Sequence, residues 1–479
     1  MLRLDKKSRT PIYLQLSNEF IKHISSGLIQ PGAKLPGTRQ LSDILKLNRR
    51  TIIAAFDELM AQGWINVYPN KGCYVKEHLP NPKPKKLTGN AGKDPVMDGF
   101  GLVNSLPEQQ VVRYNQVIDD GYPDIRLAPL KELGKNYSFI MNSSMANQLM
   151  TYKQRFYGDE LLRFELTKYL SETRSINVSS ENIMITRGSL MAFYVLFKSI
   201  LSRENDQVVV AYPGFNEGYE TIKLAGGKLN YVEVDEQGMC TDQLAAICSK
   251  KKIRAVFIIP HHHYPTTVSL SAQRRMELLE MAEKHHFAII EDDYDYDFHY
   301  ASAPILPIAS IDHRGCVAYV GSFSKTVAPA LRIGFIVAPK QVIEATAQVG
   351  KYIDSFGNTS LEHAVGMLFQ EGLIRRHLRK AVKVYRERRD HFCDLFSTEL
   401  GEFFDLKIPE GGLAAWTELK KSDLKTVREK CEQHRIHIPD ATSYFAKPFE
   451  KNALRIGFAS RTKTETAELI HSLKTTLQR

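Results

Sequence analysis

The sequence has few cysteines, and their positions do not suggest a structural frame. Six cysteines are scattered through 479 residues, with no CxxC pair among them. This distribution is typical of free thiols in a reducing compartment, and it argues against a disulfide framework or a cysteine zinc site. No apolar run approaches the roughly 20 residues that a membrane span requires, and no charged-then-apolar leader is visible. We therefore expect a cytoplasmic protein with no membrane partner.

Positive charge is concentrated at one end of the chain. Residues 1–87 carry 15 Lys and Arg against 6 Asp and Glu, whereas the other 392 residues carry 49 against 48. Such asymmetry indicates a nucleic-acid-binding head joined to a nearly neutral body. A solvated basic face is the alternative interpretation of the same charges.

The head shows three helical stretches followed by an alternating segment. Apolar residues recur at helical spacing in 11–29, 38–47 and 49–63, and WINVYPNKGCYV then alternates around a turn. We expect Thr38 to cap the second helix and Asn48 to cap the third. This order predicts a winged helix-turn-helix, in which the third helix enters the major groove of DNA.

The first turn of the third helix has the chemistry of a DNA contact. Arg49 and Arg50 supply two cations and Asn48 an amide beside the positive end of a helix. These groups suit phosphate clamping and guanine recognition. At the tip of the wing, Lys71 and Gly72 allow a close approach to the DNA backbone.

These segments resemble the DNA-binding domain of GntR-type bacterial regulators. The motifs are IYLQL, SGLIQPGAKLPGTRQLSDILKLNRRTI, DELMAQGWI and NKGCYV, and they span the predicted head. The resemblance implies binding to double-stranded operator DNA through Arg39, Asn48, Arg49, Arg50, Thr51, Lys71 and Gly72. For Arg39, an ion pair with Asp43 in its own helix is the structural alternative. LNRRTI departs from the usual start of the third helix, so the operator cannot be taken from relatives.

Residues 78–96 have the composition of a linker. They are rich in Pro, Lys, Gly and Asn and have no apolar period. We therefore expect a winged helix-turn-helix domain at 1–77, a linker at 78–96 and a larger domain at 97–479.

The larger domain alternates apolar runs with helical stretches. Runs at 207–212, 255–260, 287–292, 317–322 and 335–340 predict buried strands. The alternation predicts an α/β domain with a largely parallel central sheet. Ligands of such sheets bind beyond the carboxyl ends of the strands.

Reactive side chains follow those strand ends. They are Asp292, Tyr294, Ser189, Ser322, Ser324, Lys325 and Arg332. Pyridoxal phosphate (PLP) needs such a set: an amine for its Schiff base, an acid at its ring nitrogen, a phenol at its ring oxygen and a phosphate cup. Lys325, Asp292 and Tyr294 suit the first three roles, and the remaining residues suit the cup. An ordinary loop at SFSK and a solvated acidic turn at EDDYDYD are the structural alternatives.

Two motifs resemble signatures of fold-type I aminotransferases. GSFSKTVAPALRIGF is similar to their lysine motif, and IIEDDYDYDF is similar to their aspartate motif, 33 residues earlier. DGYPDIRLAPL, YGDELLRFELTKYL and AYPGFNEGY also resemble that family. The resemblance implies a Schiff base on Lys325, contacts to the cofactor from Phe215 and Tyr264, and binding of an effector carboxylate by Arg455. For Arg455, a structural ion pair is the alternative.

A GntR-type head on an aminotransferase-like body is the architecture of the MocR subfamily of transcriptional regulators. The resemblance implies a PLP-bound cytoplasmic homodimer that binds DNA and senses an amino acid, an amine or a vitamin B6 vitamer.

The sequence departs from the family pattern near the cofactor. HHHYPTTV, residues 261–268, has His261, His263 and Thr267 in place of serine, glutamine and glycine. Three consecutive histidines cannot all converge on one ion without help, so we expect no metal site. Other replacements are Leu162, Thr167, Leu190 and Ala330. This pattern suits a protein that holds PLP without fast turnover.

Two functional hypotheses follow. The favoured one is a PLP-dependent transcriptional regulator, and the alternative is a catalytically active aminotransferase that carries a DNA-binding head. A PLP-free binding protein comes third, because it would make the set of residues at the strand ends a coincidence.

Overall fold

The computed structural model divides the chain into two units, residues 1–110 and 111–479. The described residues are 4–5, 8, 10–69, 71–80, 114–151, 156–203, 205–300, 304–311, 313–355, 357–440, 444–445 and 451–478. The predicted linker at 78–96 lies mainly outside these residues, so this boundary stays a prediction.

The smaller unit consists of three helices and a hairpin. They are α1 (Ile12–Ser25), α2 (Thr38–Leu45), α3 (Arg49–Ala61), β1 (Ile65–Tyr68) and β2 (Gly72–Val75). The two strands pair antiparallel. The rings of Phe20 and Phe56 meet edge to face at 5.9 Å and join α1 to α3 in the core. The predicted order of helices and wing is therefore present. Thr38 begins α2, and Gly37 is its N-cap, so the expected Thr38 cap was wrong.

The larger unit alternates strands and helices through most of its length. Its strands are β3 (Gln116–Val117), β4 (Ile183–Thr186), β5 (Asp206–Tyr212), β6 (Gly227–Asp235), β7 (Gly238–Met239), β8 (Ile253–Ile258), β9 (Ala288–Asp293), β10 (Val317–Ser322), β11 (Gly334–Val337), β12 (Phe404–Lys407), β13 (Ala414–Leu419), β14 (Ile436–His437) and β15 (Ala453–Gly457). Its helices are α4 (Leu130–Met141), α5 (Met145–Leu149), α6 (Glu160–Arg174), α7 (Ser189–Ile200), α8 (Asn216–Leu224), α9 (Thr241–Cys248), α10 (Ala272–His285), α11 (Lys340–Asp354), α12 (Thr359–Gln370), α13 (Leu373–Leu400), α14 (Leu424–Gln433) and α15 (Lys463–Gln478).

The central sheet has the strand order β4-β11-β10-β9-β8-β5-β6-β7. Strands β10, β9, β8, β5 and β6 run parallel, whereas β11 is antiparallel to both of its neighbours and β7 is antiparallel to β6. The predicted, largely parallel sheet is therefore confirmed. The strand predicted at 335–340 ends at Val337, because Pro339 is the N-cap of α11.

A second, antiparallel sheet of β12, β13 and β15 completes the unit. β3 pairs with β14, which anchors the start of the unit to its carboxyl-terminal part. The segment that follows β3 is thereby held close to β15. Among the described residues, none of the helices combines the length and the apolar character that crossing a lipid bilayer requires.

Candidate functional site

Asp292 lies in a buried position near the end of β9, beside β10. In the register of the two parallel strands, Asp292 is opposite Val320. Asp292 is 3% exposed, and its Oδ1 atom is buried with no hydrogen-bond partner among the described residues. Burial raises the pKa of Asp292 well above its ordinary value, and the charges of Asp293 and Asp295 raise it further. Such a carboxylate needs a cationic or N–H partner, which a ligand can supply.

The acidic run at 291–297 is not a solvated turn. Asp292, Asp293 and Asp295 are all at most 4% exposed. Asp293 is paired with Arg174 at 3.3 Å, and Asp295 with His262 at 2.9 Å. The alternative of a solvated acidic turn is therefore wrong.

Lys325 occupies a protected position just beyond β10. Its Nζ atom donates a hydrogen bond of 2.8 Å to the carbonyl oxygen of Gly121 and lies 4.8 Å from the centre of the Tyr122 ring. Burial lowers the pKa of Lys325, Asp120 opposes this effect, and Arg455 adds to it. Since the neutral amine is the nucleophilic form, this environment favours attack by Lys325 on a carbonyl group.

A polar corner forms where β4, β10, β11 and the start of α7 meet. Gly334 of β11 is paired with Thr186 of β4 and with Ser322 of β10. Ser189 is the first residue of α7, so the free N–H groups at that helix end open onto the same corner. The sequence-predicted Ser189 and Ser322 therefore both lie beside Gly334, close to the N-terminus of α7.

Arg332 completes this corner. Its Nη2 atom donates a hydrogen bond of 3.1 Å to the carbonyl oxygen of Arg187. Gly188 has a φ of +78°, and a Cβ atom there would lie 2.7 Å from Arg332 Nη2. Ser324 donates its backbone N–H to Ser322 Oγ at 3.1 Å, which fixes the loop before Lys325. The corner therefore combines a guanidinium, hydroxyls and a helix end, a suitable cup for a phosphate group.

Aromatic side chains and a guanidinium form a second cluster of contacts. Tyr294 donates its hydroxyl proton to the carbonyl oxygen of His262 at 2.7 Å and accepts from Arg455 Nη2 at 3.3 Å. The Arg455 guanidinium lies 5.2 Å from the ring of Tyr264, and the Tyr264 and Phe215 rings meet at 5.4 Å. The predicted residues Tyr294, Arg455, Tyr264 and Phe215 are thus brought together.

Residues 119–122, which the sequence motifs did not assign to the site, contact both Lys325 and Arg455. Arg455 is 2% exposed, and its Nε atom lies 3.3 Å from Oδ1 of Asp120. The ion pair considered as the alternative for Arg455 is therefore present. The signal in the sequence was the DGYPD motif, and the pairing of β3 with β14 brings it to the site. Sequence spacing alone gave no reason to connect Asp120 with a residue 335 positions later.

A cavity of about 640 Å³ adjoins this segment. Its lining includes Asp120, Tyr122, Glu217 and Tyr264. A cavity of this volume accommodates a small organic ligand.

The three consecutive histidines have three separate partners. His261 contacts the carbonyl oxygen of Ile305, His262 pairs with Asp295, and His263 lies 2.9 Å from Thr266 Oγ1. Burial lowers the pKa of His263 to about 3, and Arg455 adds to this effect. These rings therefore act in the packing of the loop beside Tyr264.

In the smaller unit, the predicted DNA-contacting residues lie at the start of α3 and on the hairpin. Asn48 is the N-cap of α3 and accepts the backbone N–H of Arg50 at 2.9 Å, as expected. Arg39, Arg49 and Arg50 are exposed. No ion pair joins Arg39 to Asp43, both of which belong to the described part of the chain.

The remaining predicted residues of the head also lie on these elements. Thr51 is half-buried in the first turn of α3, Lys71 is exposed, and Gly72 begins β2 with a φ of +109°. The exposed cations at the helix start and on the hairpin form a candidate DNA-binding surface.

Family models match both units. A model of aminotransferase class I and II matches residues 140–473, and a model of bacterial regulatory proteins of the gntR family matches residues 12–75. The fold resembles the crystal structure of a multiple substrate aminotransferase from Thermococcus profundus, with a TM-score of 0.72 and 23% identity, over 80% of this chain and 98% of that one.

Two relatives align with nearly the whole chain, so each alignment spans both units. The probable rhizopine catabolism regulatory protein MocR of Rhizobium meliloti is 24% identical over 479 residues, which cover 99% of this chain and 95% of that protein. The uncharacterized HTH-type transcriptional regulator YdfD of Bacillus subtilis (strain 168) is 28% identical over 478 residues, which cover 98% of this chain and 96% of that protein.

Proposed function

Because this chain belongs to the aminotransferase class I and II family and joins that domain to a gntR-family head, as MocR-type regulators do, we propose that it is a PLP-dependent transcriptional regulator. The larger unit would bind PLP and a small ligand, and the smaller unit would bind double-stranded operator DNA. The family also supports a homodimer in the cytoplasm.

The observation that carries the cofactor proposal is the buried, unpartnered Oδ1 of Asp292. The site already contains an amine at Lys325 and a guanidinium at Arg332, each with its own contacts. Asp292 lacks such a partner, and the protonated ring nitrogen of PLP is a cation of the required kind. The donor set therefore fits PLP on grounds independent of the sequence motifs.

Each residue has a definable role toward the cofactor. When bound, PLP supplies an aldehyde carbon and an electron-withdrawing ring. Asp292 would hold the proton on the ring nitrogen, and Tyr294 would donate a hydrogen bond to the ring oxygen. Ser189, Ser322, Ser324 and Arg332 would bind the phosphate group. Phe215 and Tyr264 would shield the ring from water, and Lys325 would supply the amine that carries the cofactor.

Ligand binding must be coupled to DNA binding for the protein to regulate. An amine or an amino acid would bind beside Lys325, whereas a B6 vitamer would occupy the position of the cofactor itself. Such a ligand shifts the conformational equilibrium only by its difference in affinity for the two states. Arg39, Asn48, Arg49, Arg50, Thr51, Lys71 and Gly72 would then contact the operator.

A visible absorbance titration tests the proposal. Purified protein is reconstituted with PLP and titrated with amines and amino acids, with Lys325→Ala as the control. We expect a visible band in the wild type, its loss or displacement in the variant, and a persistent spectral change with one class of ligand. A wild-type protein that PLP leaves colourless would contradict the proposal. Repeated cycles of conversion with a keto acid would favour the alternative, an active aminotransferase with a DNA-binding head.

A further inference from the structure

Asp120 already contacts the guanidinium of Arg455, the group that would otherwise bind a ligand carboxylate. Arg455 Nε lies 3.3 Å from Oδ1 of Asp120 and 3.4 Å from its backbone oxygen. The Nη1 atom donates to the carbonyl oxygen of Pro265 at 3.0 Å, and Nη2 donates to the Tyr294 hydroxyl at 3.3 Å. All three guanidinium nitrogens of Arg455 therefore already have partners within the protein.

The segment that carries Asp120 is firmly placed. Asp119 is paired with Arg461 at 2.7 Å and accepts the backbone N–H groups of Gly121 and Tyr122 at 2.9 and 3.0 Å. A Cβ atom on Gly457 would collide with Asp119, so the absence of a side chain there lets the segment lie against β15. Asp120 is therefore held at Arg455 by several independent contacts.

The adjoining cavity of about 640 Å³ has more acidic than basic side chains in its lining. They are Asp119, Asp120, Glu217, Glu220 and Asp440, against Lys223. Glu220 is paired with Lys223 at 2.6 Å, Asp119 with Arg461, and Asp440 with Arg428 at 3.4 Å. Glu217 adds a further acid next to Asp120. Because Asp119, Glu220 and Asp440 are ion-paired, the carboxylates of Asp120 and Glu217 are the like charges that a ligand carboxylate in this cavity would meet.

From these contacts we infer that Asp120 determines ligand specificity. The ligand that reaches the cofactor site is a primary amine without a carboxylate group, and a second cationic group is favoured by Glu217. The inference rests on the proposed function, because it concerns the ligand of the same PLP site. Arg455 then acts as the structural partner of Asp120 rather than as a carboxylate receptor.

The test compares two ligands that differ by one group. Cadaverine and L-lysine share two amines and a five-carbon chain, but only lysine has the α-carboxylate. Both are titrated into the full-length, PLP-reconstituted protein by isothermal titration calorimetry. We expect cadaverine to bind at least about tenfold more tightly than L-lysine. The α-carboxylate of lysine and the carboxylate of Asp120 would lie a few ångströms apart, and the repulsion between two like charges at that distance is large enough for such a difference. Equal or tighter binding of lysine would overturn the inference.

Two variants separate the charge of Asp120 from the net charge of the protein. Asp120→Asn keeps the shape but removes the charge, and we expect it to reduce the preference for cadaverine to within about threefold. The matched control is Asp405→Asn on β12, which removes an exposed carboxylate that does not line the cavity, and it should keep the wild-type preference. An equal loss of preference in Asp405→Asn would overturn the assignment to Asp120.

The visible band of the cofactor is recorded in the same samples. A protein that shows the band but prefers lysine overturns this inference and leaves the proposed function intact. A protein without the band contradicts the proposed function and removes the basis of the inference with it.

Discussion

The amine of Lys325 donates a hydrogen bond of 2.8 Å to the carbonyl oxygen of Gly121, 204 positions earlier in the chain. The same short segment contacts Arg455 through Asp120. Residues 119–122 thus contact both Lys325 and Arg455. Under the proposed function, a ligand that reached Lys325 would change the contacts of this segment.

Removal of the charge on Asp292 should have opposite effects on two quantities: it should lower the affinity for PLP and raise the stability of the PLP-free protein. We expect Asp292→Asn to weaken PLP binding by about tenfold or more, because a charged hydrogen bond to the ring nitrogen is lost. The same change removes a buried, unpartnered carboxylate, so the PLP-free variant should unfold at a higher temperature than the PLP-free wild type. Thermal unfolding with and without PLP measures both effects. Unchanged PLP affinity would contradict the role of Asp292.

Gly188 should be intolerant of substitution because Arg332 approaches it closely. A methyl group there would lie 2.7 Å from Arg332 Nη2, and the φ of +78° disfavours any side chain. We expect Gly188→Ala to weaken PLP binding through a displaced guanidinium. The matched control is Gly134→Ala in α4, where no atom lies within 4 Å of the added group. That variant should bind PLP normally and be as stable as the wild type or more so. Normal PLP affinity in Gly188→Ala would show that the position of the Arg332 guanidinium does not require a glycine at residue 188.

The start of α3 should govern DNA affinity. We expect Arg49→Ala and Arg50→Ala each to weaken binding of a duplex selected by the protein from a random pool, by roughly 1–3 kcal/mol if the side chain contacts a base. The control is Lys22→Ala on α1, an exposed cation paired with Glu19 at 3.5 Å. Fluorescence anisotropy at several salt concentrations distinguishes base contacts from phosphate contacts, since the loss of a phosphate contact reduces the dependence of affinity on salt. Equal effects of all three variants would indicate a diffuse basic face instead.

His263 should make the larger unit sensitive to acid. Its pKa is lowered by burial to about 3 in the folded protein, below its ordinary value in the unfolded chain. The unfolded state therefore binds more protons, and the folded state loses stability as the pH falls below about 6.5. Between neutral pH and pH 5 the loss from this group is about 2 kcal/mol.

The variant His263→Gln should lack this part of the acid sensitivity. Urea unfolding is followed by the fluorescence of Trp416, in a Trp64→Phe background, so that only the larger unit is observed. Glu291 and Glu362, whose pKa values burial raises to about 7, act in the opposite direction in both proteins and cancel in the comparison. The same pH dependence in wild type and variant would be inconsistent with a buried neutral His263.

The architecture was predictable because local patterns and the sheet obey strong rules. The apolar runs located four of the parallel strands, β5, β8, β9 and β10, and the rule for strand ends predicted that Asp292 and Lys325 lie at the same edge of the sheet. Asn48 was predictable as a cap because its side chain satisfies an N–H within the same turn. These features depend on residues close in sequence or on a general property of parallel sheets.

The contacts of Asp120 and of the histidines were not predictable in the same way. Asp120 meets Arg455 only because β3 pairs with β14 and the segment then crosses β15. Short pairings of two residues leave almost no periodic signal in a sequence. Likewise, the acidic run at 291–297 read equally well as a solvated turn, since burial of charge depends on partners such as Arg174 that are remote in sequence.

The most direct test of the account is whether a ligand at Lys325 changes DNA binding. DNA affinity of PLP-reconstituted protein is measured by anisotropy, without ligand and with each of a set of primary amines and amino acids, in wild type and Lys325→Ala. We predict that at least one ligand changes the Kd for DNA by about fivefold or more in the wild type, and by nothing measurable in the variant. A DNA affinity that no ligand alters, in a protein that shows the cofactor band and converts amines through many cycles, would contradict the account.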